Sequence, residues 1–109
     1  MPLHAAALAS GGFPIGRLRT RAERRDVYAI ADGNPDHLFV AVVARIGHRR
    51  DADTRQRVAS EFMRVLEDET AEPFKTRGMG LTAEVQEIDP TASLKTNNLH
   101  ERLKKETAA

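Results

Sequence analysis

The chain has 109 residues, 40% hydrophobic and 30% charged, and its 17 basic side chains nearly cancel its 16 acidic ones. That length sets one domain with a single core. A net charge of +1 lacks the domain-wide positive excess of a general nucleic-acid binder, and the absence of cysteine excludes disulfides, thiolate zinc sites and cysteine nucleophiles.

No apolar run approaches the roughly 18 residues of a membrane span. The opening MPLHAAALASGG has neither a basic start nor a sustained apolar core, so no signal peptide is expected and the cytoplasm is the expected compartment. Leu3–Ser10 is alanine-rich and predicts a short helix, ended by Gly11, Gly12 and Pro14. So short a helix has little stability of its own and reads as the tail of a longer one, with residues 1–12 as its remnant. From Arg17 to Ala31 the pattern is strand-like: Arg17, Arg19 and Arg21 fall on one face, Leu18, Thr20 and Ala22 on the other. Asp32–Asp36, DGNPD, is a dense turn signal.

His37–Gly47, HLFVAVVARIG, is apolar on both faces, the pattern of a central strand buried on both sides. Asp51 or Asp53 can cap the helix that follows. Val58, Phe62, Val65 and Leu66 form its apolar stripe, with Glu61, Arg64, Glu67 and Asp68 on the wet side. Pro73 marks its end or a kink. Met79–Ile88 predicts a second apolar strand with Leu81, Ala83 and Val85 in phase. A last helix begins at Asn97 or Asn98, with Leu99 and Leu103 as its apolar pair, and residues 106–109 are expected to fray. The order of elements is α+β, built on a small sheet in one domain.

Few of the chemistry-bearing residues converge. His4, His37, His48 and His100 are scattered, with no pair at helical spacing, and read as surface or capping histidines. There is no Gly-x-Ser-x-Gly elbow and no phosphate-loop spacing of glycines. The arginines differ: Phe13–Arg25 carries Arg17, Arg19, Arg21, Arg24 and Arg25, and Arg49 and Arg50 follow the central strand. Planar guanidinium forks suit bidentate capture of carboxylates. From the residues alone, a solvated basic face, an anion site and a nucleic-acid patch all stay open.

Three blocks narrow the choice. ALASGGFPIGRLRTRA resembles the ATGxFPxxGIRxRA segment of the 5-carboxymethyl-2-hydroxymuconate delta-isomerases, members of the tautomerase superfamily. YAIADGNPDHLFVAVVARIGHRRDADTRQ is similar to that family's ADGxxxHAFVHxxLxIGxGRxxxxRQ block, and EVQEIDPTASLKTNNLHERL to its ending EIxEIxPxxxFKxNNxH. The blocks keep their order and span Leu3 to Lys104.

The resemblance implies a tautomerase (MIF-like) β-α-β fold, here with the first strand and the start of the first helix missing. It implies a homotrimer, no cofactor and no metal, and a small dicarboxylate substrate, with neither nucleic acid nor membrane as partner. The implied reaction turns the dienol form of a muconate-type diacid into its conjugated keto form, within homoprotocatechuate (4-hydroxyphenylacetate) breakdown. The alternative is an inactive trimer that only binds small organic acids.

In the family an amino-terminal proline moves the proton and arginines hold the carboxylates. Matched residue by residue, Arg19 is expected to stabilise the oxyanion or bind a carboxylate, and Arg50 to clamp the other, with Arg21 in support. Pro2 is the candidate proton carrier once Met1 is removed, although in register it falls within a helix. Arg17 and Arg49 stand where the family has glycine, and Leu94 replaces an aromatic. The arrangement requires Arg19 and Arg50 to share one hollow, within a subunit or across neighbours.

Overall fold

The computed structural model describes residues 1–10, 13 and 18–108, without the side chains of 107 and 108. The first helix, α1, spans Pro2–Ala9 with proline in its first turn, where the lost N–H has no helical acceptor anyway. It ends at Ser10, whose hydroxyl donates to the Ala7 carbonyl at 2.7 Å.

Two strands, β1 (Leu38–Ile46) and β2 (Met79–Glu87), pair in parallel with Leu38 opposite Met79 and Ile46 opposite Glu87. A parallel pair needs a long crossover, supplied by α2 (Ala52–Glu69) and α3 (Ala71–Thr76). Asp51 is the cap of α2, its carboxylate accepting from the Thr54 N–H at 2.7 Å. Pro73 lies inside the first turn of α3, and Thr70 forms the break between the helices. The last helix, α4, spans Leu99–Ala108, so it runs on past Lys105. The Asn97 side chain accepts from the Leu99 N–H at 2.6 Å.

The core lies between one face of the sheet and the stripe of α2. Val58, Phe62 and Leu66 are buried there, as the helical spacing predicts, and Ala7 of α1 closes the layer. Burying each large side chain contributes about 1.5–3 kcal/mol. Phe13 stacks on Phe62 with ring centroids 6.4 Å apart. Arg55 on α2 pairs with Glu87 at the end of β2 at 3.1 Å.

Two expectations are corrected. The central strand is not buried on both faces: Val40, Val42 and Ala44 turn inward while Phe39, Ala41 and Val43 are exposed. Among the described residues helices cover only one side of the sheet, and Phe39 and Val43 on its outer apolar face are exposed. Residues 18–31 form no strand, because β1 and β2 pair only with each other and offer this segment no ladder. Part of its alternation survives, with Leu18 and Thr20 half-buried and Arg19 and Arg21 exposed. From Arg21 to Ala29 every residue is exposed.

The turn before β1 is built as its composition implies. Gly33 takes φ +86°, and its N–H donates to the Ile30 carbonyl at 2.9 Å. Asp32 accepts from the Asn34 N–H at 3.1 Å and lies 2.7 Å from His37 Nε2. The Asn34 N–H, more than the His37 ring, holds the Asp32 carboxyl below the usual carboxylate range. The Arg77 guanidinium donates to the Asp36 carbonyl at 2.7 Å, fastening this turn to the start of β2.

Candidate functional site

Arg19 is placed by its neighbours. Leu18 packs against the core of Ala7, Val58 and Phe62, and Thr20 lies 2.8 Å through its hydroxyl from His4 Nδ1 on α1. The segment enters extended, so Arg19 projects on the side opposite these anchors. There it lines a cleft of about 380 Å³ with Thr96, Asn97, Asn98 and Leu99, at the start of α4. That volume is in the usual range for small-molecule sites. The only charged side chain among these lining residues is the Arg19 guanidinium. A second depression, about 310 Å³ between α1 and α2, is lined by Arg57 and Glu61 with Ala6, Ala9 and Ser10. Its cation and carboxylate offset each other, so the cleft at Arg19 is the stronger anion site.

The other arginines divide into two groups. Arg24 pairs with Asp26 at 2.9 Å and Arg25 with Glu23 at 2.7 Å, so both are spoken for by neighbours in sequence. Arg19, Arg21 and Arg50 make no ion pair with a described residue and keep their charge for an outside anion. Arg50 is half-buried in the loop after the carboxyl end of β1, the end of a parallel strand where ligands tend to bind. Asp51 beside it is committed to capping α2: the Thr54 hydroxyl and N–H hold its carboxyl below the usual range.

Within one chain the predicted residues do not all meet. Arg50 and Arg21 do not line the Arg19 cleft, and neither does Pro2. Pro2 occupies the first turn of α1, the position that argued against a catalytic role. Yet the turn it opens is the one tied through His4 to Thr20, next to Arg19. Arg17 lies outside the described residues.

In the sequence His4 reads only as a surface or capping histidine and Thr20 only as a residue on the face opposite the arginines, and no local pattern marks their contact. Asn97 and Asn98 were read only as helix caps, although they sit in the quoted terminal block.

The loop carrying Arg50 shows one departure at work. Arg49 has φ +72°, a left-handed conformation that glycine adopts freely and that costs other residues about 1–2 kcal/mol. Glycine is what the family pattern carries there. Arg49→Gly should therefore raise the thermal midpoint by a few degrees. A lowered midpoint in a calorimetric scan would show that the Arg49 side chain stabilises the loop by more than its backbone costs.

The chain matches the model of the family described as 5-carboxymethyl-2-hydroxymuconate isomerase over residues 1–103. It is 30% identical over 92 residues to the 5-carboxymethyl-2-hydroxymuconate Delta-isomerase of Escherichia coli, covering 84% of this chain and 73% of that protein. The crystal structure of a 5-carboxymethyl-2-hydroxymuconate isomerase from Deinococcus radiodurans R1 is similar with TM-score 0.86 and 35% identity, over 93% of this chain and 77% of the other. A 5-carboxymethyl-2-hydroxymuconate delta-isomerase structure at 21% identity and TM-score 0.74, covering 93% and 80%, agrees in fold. With the β1–α2–β2 unit and the match over nearly its whole length, the chain belongs to the 5-carboxymethyl-2-hydroxymuconate isomerase family and has its α+β, tautomerase-like fold.

Proposed function

We propose that this protein is a 5-carboxymethyl-2-hydroxymuconate delta-isomerase that needs no cofactor. It converts the dienol form of a muconate, whose carboxymethyl group adds a third carboxylate, into the conjugated keto acid during homoprotocatechuate breakdown. The family match over residues 1–103 carries the reading, and the Arg19 cleft supplies its chemistry. Moving a proton between carbon and oxygen passes through a dienolate. A fixed guanidinium aimed at the developing oxyanion stabilises it more than water does. Arg19 takes that role, Arg50 clamps the far carboxylate, and Arg21 adds positive potential.

Proton transfer needs a group that is neutral near pH 7 and can be recharged. Removing Met1 turns the Pro2 nitrogen from an amide into a secondary amine, and α-amines titrate near 7.7–8.0 when unperturbed. Ultraviolet monitoring of dienol conversion tests both parts. The chain without Met1 should accelerate the reaction, and the chain retaining Met1 should be slower by about 10²–10⁴, the usual contribution of a general base. No acceleration by either form contradicts the isomerase reading. Equal rates remove Pro2 from the mechanism.

The assembly belongs to the same reading: a homotrimer in which Arg50 of one subunit faces the Arg19 cleft of its neighbour. Three observations support it. The chain exposes 8644 Å², against roughly 6000 Å² for a monomer of this mass. Its radius of gyration is 16.9 Å, against about 13 Å for a compact domain of this length. Phe39 and Val43 are each more than half exposed on the outer face of the sheet. Sedimentation equilibrium should give three times the chain mass of 12.1 kDa; a stable monomer contradicts the assembly.

A further inference from the structure

We propose that His4 is a positioning residue for Arg19, acting through its hydrogen bond with Thr20. The inference rests on the role given to Arg19 above and extends it to α1, which holds neither arginine nor lysine.

Three observations carry it. His4 Nδ1 and Thr20 Oγ1 are 2.8 Å apart, and both residues are half-buried. Among the described residues this is the one hydrogen bond that joins residues 18–29 to another element; the remaining polar contacts of the segment, Arg24–Asp26 and Arg25–Glu23, stay within it. Arg19 therefore sits between two anchors, Leu18 in the core before it and Thr20 on α1 after it. Beyond Thr20 the chain to Ala29 is exposed, and among the described residues it makes no second hydrogen bond to another element.

The consequence is specific. Without the anchor after Arg19, its backbone gains freedom, and its guanidinium occupies the cleft at Thr96–Leu99 for less of the time. Ordering it then falls to the reaction step, and that cost appears as weaker stabilisation of the developing oxyanion. The bond links two side chains sixteen positions apart in sequence, so it also makes the lie of α1 matter to the anion site. The contact survives either tautomer of His4, because a hydroxyl both donates and accepts.

The test replaces one group at a time in the full chain. Thr20→Val keeps the shape and deletes the hydroxyl; Thr20→Ser restores it. A hydrogen bond of ordinary strength corresponds to a three- to tenfold change in an equilibrium. Thr20→Val should lower kcat for the dienol by about that factor with KM within about twofold. Trypsin should cut after Arg19 and Arg21 faster by a similar factor, since cleavage follows the open population.

Thr20→Ser should restore both readouts. His4→Ala should match Thr20→Val, and the double variant should be no worse than either single one. Wild-type kcat and cleavage in Thr20→Val, a serine variant that fails to rescue, or additive losses in the double variant would each overturn the proposal. The two readings fail separately. An Arg19→Ala variant with unchanged kcat/KM removes Arg19 from the site, whereas an unchanged tryptic rate in Thr20→Val removes the tether.

Discussion

Arg19→Ala is expected to lower kcat/KM for the dienol by about 10²–10³, the loss that follows removal of one preorganised oxyanion donor. Arg50→Ala is expected to act differently, raising KM by about ten- to a hundredfold with a smaller effect on kcat. A carboxylate held by a guanidinium is bound in ground and transition states alike, so its loss appears as uniform binding energy. Hydrogen bonds to charged groups contribute about 1.5–3 kcal/mol each, and a fork makes two of them. Arg50→Lys should recover little, because a compact ammonium lacks the fork. Unchanged kinetics in either alanine variant takes that residue out of the site.

The second large effect is on stability. Phe62 is buried at the centre of the core, against Phe13 on one side and close to Val58 and Ala7. Phe62→Ala removes that packing and leaves a cavity, which costs about 3–5 kcal/mol in proteins generally. Native domains hold only about 5–15 kcal/mol in reserve. The fully buried apolar residues described here are few: Ala7, Ile46, Val58, Phe62 and Leu66. The variant should therefore unfold at much lower urea, compared at equal protein concentration because assembly adds stability by mass action. A loss under about 1 kcal/mol would mean that the core closes around the gap, or that subunit contacts dominate.

Much of this was legible in the sequence wherever local physics decides the outcome. The stripe Val58, Phe62, Leu66 fixed the buried face of α2, and the cap was narrowed to Asp51 or Asp53, of which Asp51 takes the position. DGNPD fixed the turn, since Gly33 adopts a positive φ and both Asp32 and Asn34 accept backbone hydrogen bonds there.

The errors came where a pattern is ambiguous without a partner. Alternation at Arg17–Ala31 signals an extended chain, but a strand also needs a neighbour, and none is offered among the described residues. The apolar residues of β1 were read as burial on both faces, whereas Phe39 and Val43 are each more than half exposed.

At the site, the residue types pointed to arginines facing an anion, and Arg19 does line a cleft. What no periodicity encodes is a contact such as His4 with Thr20, or the separation of Arg50 from that cleft. Both depend on how α1 and the loop after β1 are set against the rest of the fold.

Complementation between inactive subunits tests the central claim most directly. In a cyclic trimer each site would combine Arg19 from one subunit with Arg50 from the next. Co-expressed Arg19→Ala and Arg50→Ala chains, each feeble alone, should form mixed trimers in which one site in three receives both native arginines. Dienol isomerisation by the mixed trimers is expected at about a third of the wild-type rate. Mixed trimers of confirmed composition that stay as inactive as their parents would contradict the shared grip on the substrate.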